Sequence, residues 1–251
     1  GLVCHGGLQD SPHDGTGIAS QGTPATHTLT CPMSTYIFDV DGTLIDSMPL
    51  WERLGIDFLH LHGREPREDF QRRILNMSMM ECAEFLRSEY GFTEAPQDLV
   101  DAMNSMADSF YMEKAPAKPG VLEAVKSIHD AGIRCVVATA CERYLAEAAL
   151  RRTGLLQFFS RMYTCGEIGL SKSRAEFFKV ILETEKLNPS DAVLVDDALY
   201  AIDAAKANGI GILAIYDESS RESWPVIQKR ADHAITSWSD FHLPASRAAG
   251  L

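Results

Sequence analysis

Between residues 119 and 215 the chain alternates short apolar runs with stretches of helical spacing, and this constrains its fold more than any other feature. Residues 133–139 (IRCVVAT) form a continuous apolar run rich in β-branched residues, as expected of a strand buried on both faces. Residues 121–131 before it have helical spacing, with Pro119 at the entrance and Gly132 at the exit. The cycle repeats with a helix at 143–152 stopped by Gly154, a strand at 161–164 and a helix at 174–185. A strand at 192–195, a helix at 200–208 closed by Gly209, a strand at 210–215 and an edge strand at 234–235 complete it. A first strand at 35–38 is broken by Gly42. Such alternation predicts an α/β fold with a parallel, Rossmann-like sheet covered by helices, and a ligand crevice at the carboxyl ends of the strands.

Residues 48–115 interrupt the pattern with helical spacing and almost no strand signal. Helices are expected at 49–61, 67–75, 79–90 and 97–112, separated by Gly63, Asn76 and the 91–96 loop. The Met-rich stretches there (Met77, Met79, Met80; Met103, Met106) read as bundle core rather than binding surface. The expected organisation is a core of 33–47 plus 116–244, an inserted all-helical cap at 48–115, and a tail at 245–251.

Composition narrows the partners. Lys and Arg number 23 against 35 Asp and Glu, a formal charge of −12, which argues against nucleic-acid and anionic-lipid binding. No apolar run is long enough to span a membrane. Six scattered cysteines without a CxxC fit free thiols in a reducing compartment. Residues 1–32 hold no Lys or Arg, are rich in Gly, Thr and Pro, and have neither periodicity nor the basic start and apolar stretch of a secretory signal. They read as a disordered extension, with Met33 a natural start and the protein soluble and cytoplasmic. Oligomeric state is left open, a monomer being compatible with the sequence.

Four polar clusters follow four of the expected strands: Asp39-Val40-Asp41-Gly42-Thr43, Thr139, Lys172 in the loop Gly169-Leu170-Ser171-Lys172, and Asp196-Asp197. Each alone has a structural reading: a turn, a helix cap at Thr139, a surface lysine, an N-cap with dipole partner at Asp196-Asp197. In a parallel sheet all four meet at one edge, which the separate structural readings do not explain. Four carboxylates brought together repel, so a hard divalent cation such as Mg²⁺ is the natural occupant, with a substrate phosphate completing its oxygen shell. A carboxylate is also a nucleophile toward phosphorus, and a second one two residues along points to the same side for proton transfer. Thr139 and Lys172 offer donors to phosphoryl oxygens.

The motif Asp39-Val40-Asp41-Gly42-Thr43-Leu44-Ile45-Asp46-Ser47, the strand ending in Thr139, Lys172 and Val195-Asp196-Asp197 together resemble the haloacid dehalogenase superfamily, from about residue 36 to 215. Within it the chain is similar to subfamily I members with a helical cap, such as phosphoglycolate phosphatases and β-phosphoglucomutases. The resemblance implies Asp39 as nucleophile and metal ligand, and Asp41 as general acid/base with its main-chain carbonyl on the metal. It further implies Thr139 and Lys172 as phosphate clamp, Asp197 as direct metal ligand, and Asp196 beside it, direct or through water. The second Asp of the motif decides against true dehalogenases. Three departures stand out: Ser171-Lys172-Ser173-Arg174-Ala175-Glu176 replaces the usual Gly-Lys-Pro-x-Pro-Asp, Ala198 follows the Asp pair where Ser is frequent, and Trp51 stands where β-phosphoglucomutases tend to carry a hinge His. His60 and His62, farther along that helix, read as surface or packing residues.

The expected activity is therefore Mg²⁺-dependent hydrolysis of a small phosphorylated metabolite through an aspartyl-phosphate on Asp39. A phosphosugar mutase and a non-catalytic metal- or phosphate-binding regulator are the alternatives.

Overall fold

The computed structural model describes residues 35–74, 77 and 79–243. The segment 1–32, the start at Met33, the helix end at Leu75, the separator Asn76 and the tail 245–251 lie outside the described residues. Six strands, β1 (Thr35–Phe38), β2 (Arg134–Thr139), β3 (Arg161–Thr164), β4 (Ala192–Asp196), β5 (Gly211–Ile215) and β6 (His233–Ile235), form one sheet. Its order is β3-β2-β1-β4-β5-β6 and every pairing is parallel, a Rossmann-like α/β core. The chain moves outward from β1 through β2 to β3, then returns to the other side of β1 at β4. The reversal opens a crevice beyond the carboxyl ends of β1 and β4, where ligands of such sheets bind.

Between β1 and β2 come four helices, α1 (Met48–Leu61), α2 (Phe70–Ile74), α3 (Met79–Tyr90) and α4 (Pro96–Glu113), and then α5 (Val121–Asp130) on the sheet. The first four bury an apolar cluster of their own, with Leu54, Phe58, Phe70, Leu86, Leu99 and Met103 at its centre. Met103 is buried, Met77, Met79 and Met106 pack against this cluster, and Met80 is exposed. Helix α2 begins later than the spacing predicts because Arg67 is tied to the end of α3. Its amide donates to the Tyr90 hydroxyl at 2.9 Å and its guanidinium pairs with Glu89 at 2.5 Å. The two strands of chain that enter and leave the insert lie side by side: Asp46 N–H donates to Pro116 O at 2.8 Å and Lys118 N–H to Leu44 O at 2.9 Å.

The remaining helices are α6 (Arg143–Arg152), α7 (Cys165–Ile168), α8 (Ala175–Glu185), α9 (Leu199–Lys206) and α10 (Trp224–Arg230). Alternation along the strands sorts side chains to two faces. Tyr36, Phe38, Val137, Val193 and Val195 face α5 and α6 through Val125, Ile128, Leu145 and Ala149. Ile37, Val136, Ala138, Leu194 and Ile212 face α8, α9 and α10 through Phe177, Phe178, Ile202 and Ile227. Both faces are covered, so β1, β2 and β4 read as unbroken apolar runs. Among the described residues no helix is long and apolar enough to cross a membrane.

Candidate active site

The site begins where the ladder of β1 ends. Asp39 N–H donates to Val195 O at 3.0 Å, carrying the β1–β4 pairing one residue past β1 and setting Asp39 beside Asp196 and Asp197. Gly42 then turns the chain with φ at +80°, a left-handed conformation that favours glycine. Space requires the glycine as well, since a Cβ there would lie 2.6 Å from Asp197 Oδ2. The turn is pinned by Leu44 N–H and Ile45 N–H on Val40 O, at 2.9 and 2.8 Å, and by the indole N–H of buried Trp238 on Thr43 O at 3.0 Å.

Asp39, Asp196 and Asp197 are buried, and each brings a carboxylate oxygen within 4.8 Å of the others. Lys172, buried as well, lies in the loop between α7 and α8 and places Nζ 2.7 Å from both Asp39 Oδ1 and Asp196 Oδ2. Asp196 Oδ1 accepts Ala198 N–H at 2.9 Å and so supports the turn into α9, but the N-cap is Ala198 and no side chain caps the helix, so the N-cap reading of Asp196-Asp197 does not hold. Asp197 Oδ1 accepts the Thr43 hydroxyl at 2.8 Å, an interaction the sequence did not disclose. With all three carboxylates ionised, the one ammonium would leave two negative charges in a buried pocket of oxygen donors. That donor set fits a divalent hard cation such as Mg²⁺, with Asp39, Asp196 and Asp197 to hold it.

The Asp41 carboxylate has partners of its own. Its Oδ1 accepts the Ser47 hydroxyl at 2.6 Å and the Tyr111 hydroxyl, so that oxygen is held by the base of the insert. Thr139 is fully buried at the end of β2, on the same sheet edge, and its Oγ1 accepts Cys141 N–H at 3.0 Å in the turn before α6. His60 is exposed, 3.4 Å from Glu65, and His62 packs on Phe58 and hydrogen-bonds its carbonyl at 2.8 Å, the surface and packing roles expected of them. Trp51 donates its indole N–H to the Tyr111 hydroxyl at 3.0 Å.

Burial dominates the electrostatics. It pushes Asp39 up from the ordinary carboxylate range to about 7, with Lys172 pulling down and Asp196 and Asp41 adding to the rise. Burial raises Asp41 too, opposed by the Ser47 and Tyr111 hydrogen bonds. Asp197 is raised well above its ordinary value by burial, then by Asp196 and Asp39. Burial works against the Lys172 charge, but Asp196 and Asp39 outweigh it and hold the ammonium protonated.

These directions make a prediction for the cation. A carboxyl raised on folding stabilises the protein below its unfolded pKa of about 4, and that contribution is lost as pH rises through the folded value. For Asp39 the window runs from about pH 4 to about pH 7. Without a cation this group therefore weakens the fold toward neutral pH, whereas a cation requires the ionised carboxylates. Addition of Mg²⁺ to EDTA-treated protein is expected to raise the melting temperature by several degrees at pH 8 and by little at pH 5, as thermal melts with and without MgCl₂ would read. Equal shifts at both pH values would remove these carboxylates as the ligands.

A phosphorylated carbohydrates phosphatase from Thermotoga maritima is 26% identical over 178 residues, 71% of this chain and 82% of that protein. A ribulose-1,5-bisphosphate 5-phosphatase from Halopiger xanaduensis is 28% identical over 226 residues, 79% of this chain and 93% of that protein. In structure the chain resembles CbbY from Rhodobacter sphaeroides, crystallised with phosphate, at a TM-score of 0.62 and 20% identity over 83% of this chain and 96% of that one, a likeness of fold. The family model for haloacid dehalogenase-like hydrolases matches residues 36–215. That span runs from β1 through β5 and takes in every residue gathered at the acidic edge, so the chain belongs to the haloacid dehalogenase-like hydrolases.

Proposed function

We propose that this protein is a Mg²⁺-dependent phosphatase of small phosphorylated metabolites, phosphorylated carbohydrates among them, acting through an aspartyl-phosphate on Asp39. The observation that carries the reading is the buried group of Asp39, Asp196 and Asp197 with Lys172 on two of its members. An Asp39 oxygen attacks phosphorus, the bond from phosphorus to the ester oxygen breaks, and Asp41 gives that oxygen a proton. Water then attacks phosphorus, Asp41 takes its proton back, and Asp39 is released with inorganic phosphate. Lys172 and Thr139 hold equatorial phosphoryl oxygens, Thr139 using its hydroxyl hydrogen while its oxygen accepts Cys141 N–H. When bound, Mg²⁺ supplies positive charge against those oxygens and against the nucleophile, with the Asp41 main-chain carbonyl among its ligands. Residues 48–115 act as a cap that closes over the crevice and selects the alcohol; their separate apolar cluster and paired linkers support that division.

The test is phosphate release from a panel of sugar, polyol and short-acid phosphates, with Mg²⁺ and with EDTA. Mg²⁺-dependent turnover of one or more members is the expected result. A requirement for a sugar bisphosphate with little free phosphate would instead identify a mutase. Binding without cleavage of any ester would identify a regulator.

A further inference from the structure

Asp41 is held from outside the acidic group, by both ends of the insert. Ser47 directly precedes α1, and Tyr111 lies in the last turn of α4, 70 residues from Asp41 in sequence. Both hydroxyls converge on the same atom, Oδ1. Tyr111 is fully buried, its ring 6.3 Å from that of Trp51. An indole N–H can only donate, so the Trp51 bond at 3.0 Å occupies the Tyr111 oxygen as acceptor and turns its hydrogen toward Asp41. The chain of donors thus runs one way, from Trp51 to Tyr111 to Asp41 Oδ1.

This polarity decides where a proton on Asp41 sits. A protonated carboxyl has one O–H and one carbonyl-like oxygen, and two donors aimed at Oδ1 make Oδ1 the carbonyl-like one. The acid hydrogen then resides on Oδ2, and because the carboxyl group is planar and rigid, holding Oδ1 also fixes where Oδ2 lies. Resting on the phosphatase reading, we propose that Tyr111, backed by Trp51, is the positioning residue that aims Asp41 Oδ2 at the leaving oxygen, and that this fits the enzyme to phosphate esters of unactivated aliphatic alcohols. In the step served, the ester oxygen leaves phosphorus with the bonding pair and takes the hydrogen from Oδ2. After water adds to the phosphoenzyme, one water hydrogen returns to Oδ2. A nitrophenolate departs as a stable anion and needs no such proton, so its ester bypasses the device in the transfer of phosphorus to Asp39, and the two kinds of ester then share the hydrolysis of the phosphoenzyme.

The experiment uses the full chain with Mg²⁺ and two kinds of probe: p-nitrophenyl phosphate, and the aliphatic esters glycerol 1-phosphate, ribose 5-phosphate and glucose 6-phosphate. Tyr111→Phe keeps the ring and removes the hydroxyl. It is expected to lower the rate of the first turnover, read by rapid quench as release of the alcohol, roughly 10- to 100-fold on the aliphatic esters, a part of what a general acid contributes. The first-turnover burst of nitrophenolate from p-nitrophenyl phosphate should change by less than about threefold, with KM nearly constant for both. Trp51→Phe, which keeps Tyr111 and removes only its backing donor, should move the same ratio in the same direction by a smaller factor, and supplies the comparison if Tyr111→Phe does not fold. Equal first-turnover losses on aryl and aliphatic esters, in whichever variant folds, would overturn the positioning role while leaving the phosphatase reading intact. Turnover of the aryl ester alone by the unaltered protein would overturn the aliphatic assignment. No turnover of any phosphate ester would remove the phosphatase reading itself, and this inference with it.

Discussion

Asp39→Asn is expected to abolish phosphate release, by a factor on the order of 10³ or more, while leaving the protein folded. An amide of the same shape retains the packing at the end of β1 but has no negative oxygen to attack phosphorus. Its consequences for stability run opposite to those for activity. Asp39 is raised to about 7 by burial and by its acidic neighbours, so in the absence of a cation it is a strained member of the site. Replacing it with a neutral group relieves repulsion on Asp196 and Asp197, and Lys172 keeps its 2.7 Å partner Asp196. The melting temperature in EDTA should therefore equal or exceed that of the unaltered protein, and the gain on adding Mg²⁺ should shrink because one of the three carboxylates that could hold the cation is lost. Phosphate release and paired melts read both effects. A variant that keeps turnover, even at a tenth of the rate, would exclude Asp39 as the nucleophile; one that fails to melt cooperatively would make its loss of activity a folding effect.

The acidic edge was legible because it depends on strand ends, and strand ends can be read from where apolar β-branched runs stop. Val193, Leu194 and Val195 fix Asp196 as surely as Tyr36, Ile37 and Phe38 fix Asp39, and parallel pairing does the rest. Lys172 was legible as one of the polar groups at the sheet edge, but its approach to two carboxylates was not, because it follows from the path of a loop, which no periodicity encodes. Thr139 ends β2 at the sheet edge, but it does not cap α6 as its structural reading has it: the N-cap is Glu142, without a side-chain cap bond, and the Thr139 oxygen accepts Cys141 N–H in the turn before that helix.

Tyr111 was not legible at all. Helical spacing in α4 says that the residue is buried, but not that its hydroxyl reaches across to Asp41, because that depends on how the last turn of the insert meets the first turn after β1. A polar-tipped aromatic placed where the chain re-enters the core is the signal that could have found it. Trp51 was noticed as the absence of a histidine; its actual role, a donor to Tyr111, needed the pairing of α1 with α4. The short α2 has the same origin, since the amide of Arg67 is captured by Tyr90 on a neighbouring helix. What sequence leaves open in this protein are contacts between elements distant in the chain.

Lys172→Met should cost the protein both its stability and its activity, and the two losses can be separated. Methionine fills much of the lysine volume but leaves Asp39 and Asp196 without the ammonium that lies 2.7 Å from each. Removing one partner of a buried ion pair costs about 3–5 kcal/mol, because the charges left behind are buried and unpaired. For a protein of this size that corresponds to a fall of roughly 6–20 °C in melting temperature. The loss should depend on pH in a defined direction. Lys172 pulls the Asp39 pKa down, so without it the carboxyl rises further above its unfolded value. Stability from a raised carboxyl is present at low pH and lost as pH climbs through the folded pKa. The gap between variant and unaltered protein should therefore be small at pH 5 and widest at pH 8. Mg²⁺ should narrow it at pH 8 by supplying positive charge to the same carboxylates. Turnover should not recover with it, staying lower by about 10²- to 10³-fold, because the phosphoryl oxygens would still lack the ammonium. Melts at the two pH values with and without Mg²⁺, beside turnover in saturating Mg²⁺, measure each part. An unchanged melting temperature across pH would mean that Lys172 does not compensate the buried carboxylates, and that the two charges left over in the pocket are not the reason a divalent cation fits it.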